Sequence, residues 1–182
     1  MVPNRKFSHT FTDASEEAIA AAVYLRTGYP DSSATTRLLM AKTKLAPKKT
    51  ISVVKLELHA LLGSRLATHV GNALNRPVTG RFFWTDNSCV RNWLRPTSSS
   101  NKAFVSHRVG GIQAATDPKE WHVPGSLSSS DLATRSSLPS ETISTTWFHG
   151  PSLLALPPSK LPKDIPWLTP TEEWIGKRFP ST

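Results

Sequence analysis

Two stretches of this sequence end an aromatic run in an aspartate: Phe11-Thr12-Asp13-Ala14-Ser15 and Phe82-Phe83-Trp84-Thr85-Asp86. A carboxylate at the end of a buried apolar strand is costly unless something pairs it. Two such carboxylates suggest a shared cation, so Asp13 and Asp86 are expected side by side around Mg2+. Two further acids fall near element starts. Glu57 lies early in a helix, and Asp131 lies in the cap or first turn of another, where exposed N–H groups favour an anion. Mg2+ prefers carboxylate oxygens and keeps several waters, so three or four acids suffice for two ions. Two ions about 4 Å apart are the arrangement that hydrolyses phosphodiesters, one activating water and the other stabilising the leaving oxygen. Mn2+ is the expected substitute. Asp13, on the expected central strand, is the natural bridging ligand.

Competing chemistries find less support. The six histidines and one cysteine show no zinc spacing. Ser15 follows an acid, but no histidine is placed to activate it as a nucleophile. Cys89 sits in an apolar stretch and reads as buried filler. Trp84 and Trp93 read as core rather than as platforms for bases.

The acids need elements to hold them. Residues 5–15 read as a first strand ending at Asp13, 18–27 as a second and 34–45 as a third, with turn residues Gly28 to Ser32 between the last two. Short links make these an antiparallel meander. The alanines of 18–22 favour helix locally, so the second strand is expected against propensity. Across 53–74 the period changes: Leu58, Leu62, Leu66, Val70 and Leu74 recur every four residues, which predicts the longest helix. Glu57 lies on the shoulder of that stripe, as a surface charge or as a ligand aimed at the sheet. Residues 80–85 form a fourth strand that delivers Asp86. Asn87 and Ser88 can cap a short helix carrying Val90, Trp93 and Leu94. A helix over about 101–115, kinked or frayed at Gly110-Gly111, a short strand at 120–124 and a final helix from Ser128 follow.

The bulk numbers fit one domain. The chain has 182 residues, of which 38% are hydrophobic and 19% charged, enough for a single full core. Net charge is +9, which favours an anionic partner or a solvated basic surface. The single cysteine excludes an internal disulfide. The first residues lack the apolar region of a signal peptide, and no run reaches the length of a membrane span. Seven of the 15 prolines fall in 151–182, a density that opposes long helices and central strands. The expected division is a domain over 1–150 and a Pro/Trp-rich tail or linker over 151–182.

The chain resembles the ribonuclease H region of Pao/BEL-type LTR retrotransposon polyproteins over about residues 7–154. The residues that carry the resemblance are FTDASEEAIAAAVYLR (11–26), LLMAKTKLAPKKTISVVKLELHALLGSRLA (38–67), FFWTDNSCVRNWL (82–94), FVSHRVGGIQ (104–113), WHVPGSLSSSDLATR (121–135) and WFHGPSLL (147–154). The resemblance implies an α/β, ribonuclease H-like fold: a five-stranded mixed sheet, its first three strands antiparallel, flanked by helices. It implies that Asp13, Glu57, Asp86 and Asp131 are the metal-binding acids of a Mg2+-dependent endonuclease that cuts the RNA strand of RNA–DNA hybrids. Reverse transcriptase and integrase regions of a parent polyprotein are then the expected partners, with 151–182 leading toward an integrase region outside this chain. The expected location is a cytoplasmic retrotransposon particle or the nucleus, not the secretory route.

Lys42, Lys44, Lys48 and Lys49 cluster before the long helix, where they can meet phosphates or line a solvated loop. Ser15, Asn87 and Ser88 adjoin the acids and are candidates to touch the RNA sugar. His122 is a candidate proton shuttle or a strand residue beside Trp121. The serines before the last acid and the expected polyprotein neighbours lying outside this chain support a second reading, a catalytically weak or dead nucleic-acid-binding remnant. The family's Asn-Pro-Ala-Asp approach to the last acid is Ser128-Ser129-Ser130-Asp131 here, and Gly110-Gly111 replaces helix formers. A transposase or integrase core of related fold fits less well, because its last acid is usually Glu and it has no helix Glu second in order.

Overall fold

A computed structural model describes residues 5–15, 17–31, 33–46, 52–75, 77–86, 88–94, 109–123 and 146–156; for 52–58, 88, 89 and 92 it describes the backbone alone. The elements run β1 (Arg5–Ala14), β2 (Ala18–Gly28), β3 (Ala34–Leu45), α1 (Ser52–Ala73), β4 (Gly80–Thr85), α2 (Ser88–Trp93) and β5 (Trp121–His122). The five strands form one sheet in the order β3-β2-β1-β4-β5. β1 pairs antiparallel with β2, and β2 antiparallel with β3. β4 pairs parallel with β1, and β5 parallel with β4. The expected mixed sheet with an antiparallel first half is therefore present.

β2 shows tertiary context overriding propensity. Ala20, Ala21 and Ala22 are buried, and their backbones are paired on both sides. Small side chains there leave room for layers on either face. The β2–β3 ladder is regular except for a register shift at Val23/Tyr24, which passes over Leu39.

The two faces of the sheet carry separate apolar clusters. On one face α1 lays Ala60, Leu62, Leu66 and Val70 over Ile19, Val23 and Phe83, joined by Val90, Leu94, Val109 and Ile112. On the other face Phe11, Tyr24 and Trp84 pack with Leu153 and Leu154. Residues 151–156, the start of the Pro-rich stretch, are thus part of the packed structure, and the rest of that stretch lies outside the described residues. Tyr24 donates its hydroxyl to the Trp147 carbonyl at 2.8 Å. The buried Arg26 donates Nε to Leu154 O and Nη2 to Leu156 O, both at 2.9 Å. Gly150 turns the chain with φ 76°, where a Cβ would approach Leu154 Cδ1 to 2.9 Å.

The last strand is shorter than expected. β5 holds only Trp121 and His122, after a 3₁₀ turn over Pro118–Glu120 closed by an Asp117–Glu120 capping box. Arg81 on β4 grips Glu120 through two hydrogen bonds of 3.0 and 2.9 Å, and Trp121 stacks on Phe83 at 4.9 Å. The described part of the preceding helix, 109–113, stays helical through Gly110 and Gly111. The 101–108 part of that helix and the one expected from Ser128 lie outside the described residues. Among the described residues no helix is long and apolar enough to cross a membrane.

Candidate active site

The ladder between β1 and β4 ends at the pair Thr12 and Thr85. Asp13 and Asp86 are the next residue on each chain. Because β1 and β4 run parallel, both acids emerge at the same end of the sheet, on neighbouring strands about 4.8 Å apart. Asp13 is still inside β1, paired with Ala20 on its other flank, and only 4% exposed. Asp86 lies just past β4 and is exposed. One carboxylate is thus held rigidly in the sheet while its neighbour faces solvent.

Three contacts lock the backbone behind the pair. Thr12 donates its hydroxyl to the Trp84 carbonyl at 3.3 Å, tying β1 to β4 directly before the acids. His59 on α1, fully buried, is hydrogen-bonded through Nε2 to Thr85 Oγ1 at 3.3 Å. Gly63, one helical turn later, sits against Thr12 so closely that a Cβ there would overlap the Thr12 methyl. Together these contacts press the N-terminal half of α1 onto the ends of β1 and β4. The backbone of Glu57 lies on α1 two residues before His59. The Glu57 carboxylate and Asp131 lie outside what the structure describes.

The other candidates have varied placements. Ser15 shapes the β1–β2 turn, its Oγ accepting from the backbone N–H groups of Glu17 and Ala18 at 3.2 and 3.1 Å. Lys42 and Lys44 are exposed on β3. Ser88 is the first residue of α2; Asn87, Lys48 and Lys49 lie outside the described residues. His122 pairs with Trp84 on β5, and its ring packs against Trp84 and Phe82, with centroids 5.2 and 5.5 Å away. This is the packing of a strand residue one strand over from the acids.

Sequence reasoning missed His9, His59 and Gly63. His9 lies on the same face of β1 as Phe11 and Asp13. It stacks on Phe82 at 4.9 Å, and its Nδ1 accepts from Trp84 Nε1 at 3.1 Å. Burial, then the nearby charges of Arg26 and His122, lower its pKa to about 3, so the ring is neutral. The signal for it was the alternation Phe7, His9, Phe11 along one strand face. For His59 and Gly63 the signal was their place between Ala60 and Leu66 on a leucine-rich helix, where a polar or small residue facing the sheet needs a reason.

Among the described residues no group of three His, Cys, Asp or Glu side chains gathers to hold a metal. Of the four acids expected to bind metal, Asp13 and Asp86 are the two whose side chains are described. Their oxygen-only donors, on adjacent strand ends, suit Mg2+ better than a softer metal. The residues present therefore fit the ion.

No curated protein matches the chain. Solved structures with weak likeness include ribonuclease H1 of the archaeon Halobacterium salinarum, at 11% identity and TM-score 0.37, covering 66% of this chain and 83% of that one. Another is the N-terminal ribonuclease H domain of Rv2228c from Mycobacterium tuberculosis, at 12% identity and TM-score 0.36, covering 62% and 78%. A third is LC11-RNase H1, crystallised with an RNA/DNA hybrid, at 8% identity and TM-score 0.38, covering 64% and 81%. The family model described as the Pao retrotransposon-like RNaseH-like domain matches residues 5–87, from the first residue of β1 to the residue after Asp86. Over that stretch, which holds Asp13, Glu57 and Asp86, the chain is similar to the Pao retrotransposon-like RNaseH-like domain.

Proposed function

We propose that the chain is a Mg2+-dependent endonuclease that cuts the RNA strand of RNA–DNA hybrids, as one region of a retrotransposon reverse-transcription polyprotein. The observation that carries this reading is the emergence of Asp13 and Asp86 at adjacent ends of the parallel strands β1 and β4, one step past the Thr12–Thr85 pair. The family match over the same stretch supports it. Asp13 and Asp86 would hold Mg2+ (or Mn2+), with Glu57 and Asp131 completing the set. When bound, two such ions supply the activation of water and the neutralisation of the leaving oxygen.

The chain's own residues do the positioning. Asp13 is fixed by its place inside β1, and Asp86 by Thr85, which α1 holds through His59. Docking of α1 through Gly63 sets where the Glu57 turn meets the strand ends. A net charge of +9 favours the polyanionic substrate. Ser15, Asn87 and Ser88, next to the acids in sequence, are assigned to the RNA sugar, and Lys42, Lys44, Lys48 and Lys49 to phosphates. His122, packed on Trp84 and Phe82, is better placed to support β4 than to shuttle protons. Reverse transcriptase and integrase regions are the proposed neighbours, and a cytoplasmic particle or the nucleus the proposed location.

The test is cleavage of an end-labelled hybrid by purified folded chain with Mg2+, beside an Asp86→Asn control. Cleavage that disappears in the control supports an active nuclease. Folded protein that binds hybrid yet leaves it uncut with either metal replaces this reading with the nucleic-acid-binding remnant.

A further inference from the structure

A groove of about 620 Å³ runs between β3 and α1, on the face of the sheet that α1 covers. Its floor is apolar, with Ile19, Leu62 and Leu66, and its walls carry Lys42 and Lys44 from β3 and Arg65 and His69 from α1. No Asp or Glu is among the groove's described lining residues. All four polar side chains are exposed, and none is ion-paired among the described residues.

The groove starts level with the acids. Lys42 pairs with Ala21 and Lys44 with Ile19, and Ala20 between them pairs with Asp13. The lysines therefore stand two strands from Asp13, about 10 Å across the sheet. From there the groove follows α1 away from the acid end, because His59 meets Thr85 and Arg65 and His69 come one and a half turns or more later. Along β3 the two lysines are spaced by two residues, about 7 Å. Along α1 Arg65 and His69 are spaced by one turn, about 6 Å. Two walls with polar, mainly cationic groups at regular intervals suit a ligand whose negative charges also repeat regularly.

We propose that this groove is a second nucleic-acid contact, a track for the sugar–phosphate backbone of one strand leading away from the acid pair. Phosphates lie along the Lys42–Lys44 and Arg65–His69 walls, and sugar faces cover the leucine floor. An acidic apolar peptide is the rival occupant; the regular spacing of the groups on both walls favours nucleic acid. The proposal takes its ligand from the hybrid-nuclease reading, but binding and cleavage are measured separately.

The experiment uses the full chain with Asp86→Asn, so that binding is read without turnover, and a fluorescent RNA–DNA hybrid titrated in Mg2+ at several salt concentrations. Lys44→Gln with Arg65→Gln removes one cation from each wall. It is expected to weaken binding about tenfold and to lower the salt slope by about two, as loss of two phosphate contacts requires. Lys119→Gln, an exposed cation away from the groove, is the charge control, and thermal midpoints check the fold. Equal affinity and slope in the double variant and the charge control overturn the track, as does an acidic peptide that occupies the groove without competing with hybrid. Cleavage by the unaltered chain is scored apart. If it cuts but the groove variant binds normally, the track fails and the nuclease stands. If it does not cut but the groove variant loses affinity, the nuclease fails and the track stands.

Discussion

His9 and His59 are the two fully buried histidines among the described residues, and each makes a checkable demand. His9 has a folded pKa of about 3 against an ordinary 6.5. Between those values the unfolded chain binds a proton that the folded chain refuses. Its contribution is therefore intact above pH 6.5 and is lost as pH falls toward 3, at up to about 1.4 kcal/mol per pH unit. Urea unfolding across that range should show this slope, and His9→Phe should flatten it while costing about 1–3 kcal/mol for the unpaired Trp84 indole N–H. His59→Ala removes a buried side chain and its bond to Thr85, and should destabilise the fold by about 2–4 kcal/mol. If His59 also positions the acid end, His59→Gln should recover stability yet leave a raised Mg2+ requirement for hybrid cleavage. Full recovery of both would reduce His59 to packing.

At the level of elements, α1 docks on β1 where Gly63 meets Thr12. Gly63 and Gly71 lie on the same helix and make opposite predictions. A Cβ at Gly63 would overlap the Thr12 methyl, whereas one at Gly71 meets nothing within 4 Å. Gly63→Ala should therefore cost about 1–3 kcal/mol through overpacking, and Gly71→Ala should gain about 0.5–1 kcal/mol from helix propensity, both read by denaturant midpoints. These elements were largely legible beforehand. The period-four leucines marked α1, the aromatic runs marked β1 and β4, and the residues after each run were the acids that the parallel register brings together. β2 was legible only through its neighbours, because Ala18 to Ala22 favour helix until two strands pair with them. His59 and Gly63 were not legible, since a helix pattern shows which residues are apolar but not which must touch a particular threonine across the layer.

At the scale of the whole molecule, the sheet is closed on one face by α1 and on the other partly by residues 147–156. Proline density makes 151–182 read as a tail or linker, while Leu153 and Leu154 act as core once Phe11, Tyr24 and Trp84 are assembled beneath them. Leu154→Ala should cost about 2–5 kcal/mol, and a chain ended at Gly150 should unfold at a lower temperature, with Arg26 deprived of both carbonyls. Two cores back to back leave one end of the sheet for the acids, and it is there that the basic groove begins.

The proposed nuclease requires Asp13 and Asp86 to act as one metal-holding pair. The rate of hybrid cleavage by the full chain, followed as Mg2+ is raised, with and without Asp13→Asn, tests it most directly. A saturating rise is expected in the unaltered chain, and a loss of more than about a hundredfold in the variant, with the folded state retained. Cleavage by Asp13→Asn at the unaltered rate and the same Mg2+ midpoint would contradict it.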